Sequence, residues 1–385
     1  MSEPNFSKLE WLCTGHDIFP AMLEVINKAE KSIRLETYIY SDDKLGRQFF
    51  VALLAAARRG VRVSVLLDAM GSWLLPGDFF KPLVQAGGEM RLFNPLRIWR
   101  FGVRDHRKIL LCDDRVAFIG GFNISDEYDG DGVTCGWCDL GVKIENPALL
   151  ATLAATFDEL FVLADFRRKP LLRLRAYKRR RKLQKKSAGE LLLTHPGRGA
   201  SPFQKALYHD LTKARDLRII IAYFLPTRKL RRLLIHAARH GARVQLILAG
   251  KTDVLVSQLA ARSFYHRLLK AGVEIYEYQP QILHAKLIIV DGITYVGSSN
   301  LDMRSLNLNY ELMLRLDDAD TAADARNVFQ CVLKQSRRIE LLEWQKSQTF
   351  WRRWEHRWAH FLLMHIDPYI ALRQFHAIKN CAVKI

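Results

Sequence analysis

His106 and Lys108 stand two residues apart in HRKILLCD, which closes on Asp113, and His284 and Lys286 stand two apart in HAKLIIVD, which closes on Asp291. The pattern His-x-Lys-x4-Asp therefore occurs twice. Each copy is an apolar, strand-like run, followed by a small-residue turn holding an asparagine: GGFN, ending at Asn123, and GSSN, ending at Asn300. Residues i and i+2 of a strand share a face, so each His points the same way as its Lys. The turn brings the Asn and backbone N–H groups to the same end of a sheet, where they surround an anionic oxygen. Displacement at phosphorus through a covalent intermediate asks for two groups, and a single octet supplies one. A lone His in an apolar strand reads equally well as a core residue. Two copies, both with Asn turns and a trailing carboxylate (Asp139 and Glu311), read as a site.

The repeat is longer than the octets. KSIRLETYIY (Lys31 to Tyr40) matches DLRIIIAYFL (Asp216 to Leu225), and LLAAARRGVRVSVLLD (Leu53 to Asp68) matches LIHAARHGARVQLILA (Leu234 to Ala249), a helix closed by a Gly cap and then a buried strand. LVQAGGEMRLFNP matches LLKAGVEIYEYQP, and DLGVKIE and ELMLRLD are strands led by the two carboxylates. Each half is β-α-β-α-β-β-β. That order predicts an α/β fold with a mixed, largely parallel sheet covered by helices on both faces. Structural arrays repeat in shorter units and more copies, so two long copies predict a pseudo-dimer, with the His strands meeting at an approximate twofold. The expected division is domain 1 over 1–165, a basic linker over 166–190, domain 2 over 191–335 and a Trp-rich helical region over 336–385.

A chain of 385 residues, 49% of them hydrophobic, can bury two ordinary cores. The formal charge of +19 implies a polyanionic partner. Most of the excess lies between Arg167 and Lys186, where twelve residues are Lys or Arg and none is Asp or Glu. Six scattered cysteines suggest a reducing compartment. Cys135 and Cys138 form a CxxC with no second pair at zinc-ribbon spacing, and they read as loop thiols. DGDG at 129–132 lacks a ligand at Val133 for a calcium loop, and His356 with His360 lacks an acidic partner for zinc. The opening residues show no signal peptide, and no apolar window is long enough to span a bilayer, so any membrane contact is expected to be peripheral.

HxKxxxxD followed by GG/GSxN, twice in one chain, resembles the phospholipase D superfamily. NPL ahead of DHRKILLCD, then GGFNISDEY, WCDLGVKIENP and HAKLIIVD with GSSNLDMRSLNLNYE, is similar to bacterial cardiolipin synthases, over roughly residues 18–317. The resemblance is to the short, peripheral type, without the paired N-terminal transmembrane helices of the long type. It implies two phospholipase D-like domains with the active site between them. It also implies a phosphatidyl transfer in which His106 attacks the lipid phosphorus and His284 protonates the departing oxygen; the symmetry of the sequence leaves the reverse assignment open. Imidazole's ordinary pKa, near 6.5, makes both its roles accessible at neutral pH. Lys108, Lys286, Asn123 and Asn300 hold the nonbridging oxygens. Asp139 and Glu311 orient the imidazoles. Asp113 and Asp291 complete the catalytic motifs, as anchors of their strands. No metal or cofactor is needed.

The expected substrates are phospholipids, with phosphatidylglycerol as acceptor and phosphatidylglycerol or another phospholipid as donor. A phospholipase D-type hydrolase or a transferase with another alcohol acceptor is the alternative, and a phospholipase D-like nuclease the more distant one. The basic stretch would be drawn to anionic lipid, although nucleic acid competes as a partner for any such run. Trp344, Trp351, Trp354 and Trp358 at helical spacing favour an interfacial helix over nucleic acid, unless that stripe packs on the second domain. WLLPGDFF (Trp73 to Phe80) offers apolar side chains suited to acyl chains. The expected location is the cytoplasmic face of the cell membrane, and no stable protein partner is implied.

Overall fold

The computed structural model describes residues 9–95, 102–164, 189–197 and 199–363; the basic stretch Arg167 to Lys186 lies outside them. The first half runs β1 (Glu10–Leu12), α1 (Gly15–Lys28), β2 (Ser32–Thr37), α2 (Lys44–Arg58), β3 (Arg62–Asp68), α3 (Lys81–Gln85), β4 (Glu89–Phe93), β5 (Ile109–Cys112), β6 (Val116–Gly120), β7 (Gly141–Ile144) and α4 (Pro147–Leu163). The second runs β8 (Gly189–Thr194), α5 (Pro202–Asp210), β9 (Asp216–Ile221), α6 (Arg228–Arg239), β10 (Arg243–Lys251), α7 (Leu255–Arg262), α8 (Tyr265–Lys270), β11 (Glu274–Ile282), β12 (Lys286–Val290), β13 (Ile293–Gly297), α9 (Met303–Asn307), β14 (Glu311–Asp317), α10 (Ala319–Lys334) and β15 (Ser336–Arg338). Helices α11 (Leu341–Ser347) and α12 (Phe350–Phe361) follow.

The two sheets share one strand order. The first is β1-β7-β6-β5-β2-β3-β4, and the second is β8-β14-β13-β12-β9-β10-β11 with β15 added at the edge. Both are mixed, but the expectation of largely parallel sheets needs correction. Only β2-β3-β4 and β9-β10-β11 pair in parallel, and the remaining neighbours are antiparallel. Parallel pairing requires a crossover of a dozen residues or so. The helices α2 and α3, and α6 to α8, supply it in the early strands, whereas β5 and β6, like β12 and β13, are joined by turns too short for anything but a hairpin. The helices before β3 and β10 end alike, at Gly60 (φ 89°) and Gly241 (φ 87°), the left-handed residue that closes a helix.

Helices cover the outer face of each sheet, but the inner faces pack largely on each other. Ile109, Leu111, Ile119 and Val142 meet Ile220, Leu287, Ile289 and Leu314 in one core, with Leu153 of α4 and Phe329 of α10 filling it at either side. The neighbours Leu110 and Cys112 point outward into the cluster under α1 and α2. Strand β5 is thus apolar on both faces, which is why its residues read as a continuous run.

The strand match also shifts by one residue. Asp113 N–H donates to the Ser32 carbonyl and Asp291 N–H to the Asp216 carbonyl; Asn123 accepts from Ile39 N–H and Asn300 from Tyr223 N–H. Ser32 therefore corresponds to Asp216, and Ile39, rather than Tyr38, to Tyr223. The alternation of polar Ser32 and Arg34 with Ile33 and Leu35 is in phase with that of Asp216 and Arg218 with Leu217 and Ile219 at this register, and a shift by one residue would exchange the faces.

Asp113 and Asp291 sit at the ends of β5 and β12 remote from the histidines, both at φ 53°. The Asp113 carboxylate accepts from the N–H groups of Glu30, Lys31 and Ser32 at 2.7 to 2.9 Å, and Asp291 accepts from those of Arg215 and Asp216. Burial pushes the Asp113 carboxyl up, and the backbone donors more than offset it, holding it below the usual range. Asp113→Ala is expected to cost about 1–2 kcal/mol through the orphaned donors and the left-handed backbone, lowering the melting temperature while the folded protein keeps whatever turnover the expected chemistry gives it. Asp113→Asn, which tolerates that conformation, should lose less. A fall in turnover without a fall in melting temperature would assign Asp113 to the chemistry instead.

Candidate active site

His106 and Lys108 lie immediately before and at the edge of β5, and His284 and Lys286 hold the matching places at β12. Short backbone bridges between the halves set their positions. Tyr310 N–H donates to the Arg104 carbonyl (2.8 Å) and His106 N–H to the Tyr310 carbonyl (2.9 Å). Across the pseudo-twofold, Cys138 N–H donates to the Ile282 carbonyl (2.9 Å) and His284 N–H to the Cys138 carbonyl (2.7 Å). Each His is thereby tied to the residue that precedes the other half's carboxylate. His106 Nδ1 lies 3.2 Å from Glu311 Oε2, and His284 Nδ1 lies 2.6 Å from Asp139 Oδ2. The ring centroids are 6.4 Å apart.

The two carboxylates differ in their surroundings. Ser298 Oγ donates to Glu311 Oε2 at 2.6 Å, so Glu311 serves two partners. Gly121 takes the corresponding place beside Asp139, where a Cβ would fall 2.1 Å from Asp139 Oδ1. The glycine in GGFN is what lets Asp139 approach its imidazole so closely.

Both rings open on a cavity of about 680 Å³, lined also by Asn123 and Asn300. Asn123 Nδ2 donates to Tyr128 Oη at 2.7 Å. Lys108 Nζ donates to the His106 carbonyl at 2.7 Å and lies over the Tyr38 ring. Lys286 Nζ donates to the His284 carbonyl and lies 2.8 Å from His284 Nδ1. Neither Asp113 nor Asp291 lines the cavity.

A family model described as cardiolipin synthase, PLD-like domain, matches the chain twice, over residues 22–161 and 207–333. The chain belongs to this family. It is 36% identical to cardiolipin synthase B of Shigella flexneri, covering 81% of this chain and 77% of that one. It is 34% identical to a cardiolipin synthase of Geobacillus kaustophilus, covering 78% of this chain and 61% of the other. Its fold is shared with the crystal structure of phosphatidylserine synthase from Haemophilus influenzae, at TM-score 0.73, 15% identity and 96% coverage of both chains. The double match of the family model and the equal strand order of the halves both express one duplicated phospholipase D-like unit, and the chain is an enzyme of the cardiolipin synthase, PLD-like family.

The electrostatics of this family member follow from burial. Burial pushes Lys108 down to about 7 and Lys286 to about 8. Burial, then the Lys286 cation, pushes His284 down to about 4, against the pull of Asp139. His106 is lowered by burial and Lys108, against Glu311. Burial raises the Asp139 carboxyl, but His284 and Lys286 outweigh it and hold it low. Four basic groups crowded out of water prefer to shed protons, and an anion placed among them would restore the charge.

Several groups at the site carry no motif. Tyr38, Trp137, Tyr223 and Arg304 line the cavity, and Asp253 accepts from Tyr223 Oη at 2.7 Å. Under the first His, Arg107 is buried with its Nε 2.6 Å from Glu36 Oε1, and Asp68 accepts from Asp105 N–H at 2.9 Å. The alternating polar residues of DHRK are the signal that could have found this second network, because Asp105 and Arg107 point to the face opposite His106. The second copy has Leu283 and Ala285 there. The CxxC is not a joined pair: Cys138 is buried and Cys135 exposed, both as free thiols.

Proposed function

We propose that this enzyme transfers a phosphatidyl group between alcohols, making cardiolipin with phosphatidylglycerol as acceptor and phosphatidylglycerol or another phospholipid as donor, at the cytoplasmic face of an anionic membrane. The observation that carries this reading is the pair of imidazoles, 6.4 Å apart by centroid, each held at Nδ1 by a carboxylate of the other half. With Nδ1 engaged, Nε2 of each ring is left for the reaction. His106 Nε2 attacks phosphorus, the bond to the departing glycerol oxygen breaks, and His284 donates its proton to that oxygen. The acceptor hydroxyl then yields its proton to His284 and attacks phosphorus, and the phosphorus–nitrogen bond breaks. Reacting atoms must approach to about 3–3.5 Å, and ring centroids 6.4 Å apart are close enough for both imidazoles to engage one phosphodiester. Asn123 and Asn300, which line the cavity, would hold the nonbridging oxygens, and Lys108 and Lys286 would turn to them from the His106 and His284 carbonyls. A phosphodiester anion beside both lysines opposes their effect on His284 and moves it up toward the range where it carries the proton.

The rim of the cavity supports a lipid substrate. Met70 and Val254 line it and are exposed, and Trp73, Leu74, Leu255 and Val256 beside them are exposed too. Helix α12 buries His356 and Ala359 but exposes Trp351 (70%), Trp354 (49%), Trp358 (49%) and Phe361 (49%). Trp344 instead packs on Tyr265, with ring centroids 4.9 Å apart. Aromatic side chains of this kind settle at the boundary of water and lipid. No described helix is long and apolar enough to cross a membrane.

The test is incubation of the purified protein with phosphatidylglycerol, phosphatidylethanolamine and a nuclease substrate in EDTA, with products identified by mass spectrometry. Cardiolipin plus glycerol is the expected outcome. Phosphatidic acid alone would mean that water is the acceptor, and cleaved nucleic acid without lipid products would overturn the reading.

A further inference from the structure

A second cavity, of about 670 Å³, lies between α6, α7, α8, α11 and α12, apart from the two histidines. Arg231, Arg262, Arg267 and Arg357 line it with Trp344 and His356, and no Asp or Glu does. Arg262 is engaged by Glu277 at 3.0 Å. Among the described residues, Arg231, Arg267 and Arg357 form no ion pair. The Arg231 guanidinium lies over the Phe264 ring at 4.6 Å, and its Nε is buried without a hydrogen-bond partner. Burial lowers the Arg231 pKa, and Arg267, Arg228 and Arg232 lower it further. Arg231 is half-buried with its Nε enclosed, whereas Arg267 and Arg357 are exposed; three unpaired guanidiniums around one cavity without a carboxylate give it a positive field that attracts an anion.

Its position says which anion. Helix α7 has Ser257 of its first turn at the catalytic cavity and Arg262, its last residue, at the arginine cavity. From Ser257 to Arg262 the helix rises through five residues, about 7.5 Å at 1.5 Å per residue. Helix α12 packs on α7, exposes Trp354 and Trp358 to solvent, and is followed by Leu363, which lines the catalytic cavity. A free phosphate needs no exposed aromatic face beside its site, whereas a lipid headgroup comes with one kind of surface.

We propose that the arginine cavity binds the phosphodiester headgroup of a second, non-reacting anionic phospholipid in the bilayer, with Arg231 and Arg267 as its main ligands and the α12 tryptophans seated in the interface around it. The inference rests on the membrane part of the proposed function and deepens it: the catalytic mouth is aimed by a lipid the enzyme does not consume.

The experiment is co-sedimentation of the full chain with phosphatidylcholine vesicles, with and without phosphatidylglycerol. Arg231→Gln/Arg267→Gln is expected to lose about tenfold in partition to the phosphatidylglycerol vesicles, with a melting temperature no lower than that of the parent protein. Arg58→Gln/Arg239→Gln, which removes the same charge from exposed sites elsewhere, should lose much less, and Arg231→Lys/Arg267→Lys should recover part of the loss. Equal losses in the two glutamine variants, or none in the first, would overturn the proposal. So would inorganic phosphate raising the melting temperature of the parent but not of Arg231→Gln/Arg267→Gln while vesicle partition stays equal, since the cavity would then take a free anion. Competition by a single-stranded oligonucleotide that depends on Arg231 and Arg267 would reassign it to nucleic acid. Should the parent protein make no cardiolipin while the arginine variant still loses vesicle binding, the functional reading fails and the headgroup site stands.

Discussion

His284→Ala is expected to hold a phosphoenzyme that acid-quench and gel analysis can detect, and His106→Ala to form none, with turnover lost in both. Removing a positioned acid costs typically about 10²–10⁴-fold, and removing the nucleophile leaves no covalent route at all. The difference between the variants arises because the phosphorus–nitrogen bond forms at one ring while the other only moves protons. The opposite pattern, a phosphoenzyme in His106→Ala alone, would exchange the two roles, which the near-symmetry of HRK and HAK permits. A phosphoenzyme in neither variant, nor in the parent under single turnover, would remove the covalent intermediate and leave direct displacement.

Asp139→Asn should reduce kcat by about 10²–10⁴-fold, the range a positioned general acid contributes, because His284 loses the carboxylate that sets its tautomer. Glu311→Gln should cost less, because Glu311 lies at 3.2 Å from its His against 2.6 Å for Asp139, and shares its oxygen with Ser298. The pH profile gives the sign. Asp139 raises the His284 pKa, in opposition to burial and Lys286. An acid is active below its pKa and fails as pH rises through it. With asparagine at 139 the His284 pKa falls, so the decline on the alkaline side of kcat, which reports the substrate complex, moves to lower pH. Glu311→Gln acts on His106, and lowering the pKa of a nucleophile extends activity on the acid side. If both variants moved the same limb, the assignment of separate roles to the two rings would fail.

The pairing tested by these variants is where reading along the chain stops being enough. Asp139 and Glu311 were legible as strand-leading carboxylates in corresponding positions. That His106 takes Glu311, and His284 takes Asp139, follows from the bridges at Tyr310 and Cys138, which join segments far apart in the chain. The match of β2 to β9 was legible, by contrast: Ser32, Arg34 and Glu36 alternate with Ile33 and Leu35 as Asp216 and Arg218 alternate with Leu217 and Ile219, and a slide by one residue, which sets Tyr38 in place of Ile39 against Tyr223, exchanges the two faces. The tryptophan stripe was ambiguous between core and interface. The structure divides it, with Trp344 packed on Tyr265 and Trp351, Trp354 and Trp358 exposed, because α12, packed on α7, turns His356 and Ala359 inward.

By itself the sequence determined the duplication, the α/β order of each half, the two His-Lys pairs with their Asn turns, and the phospholipase D-like family to which they belong. Those features are local: spacing of two along a strand, a short hairpin turn, a glycine after a helix. Tertiary structure alone decided that the inner sheet faces pack together, that each imidazole leans on the opposite half, and that Arg231, Arg267 and Arg357 gather in one cavity. None of these is written in any stretch of chain, because contacts between remote segments depend on how two buried faces and two sets of helices fit, and identical apolar patterns fit in more than one way until the whole core is packed.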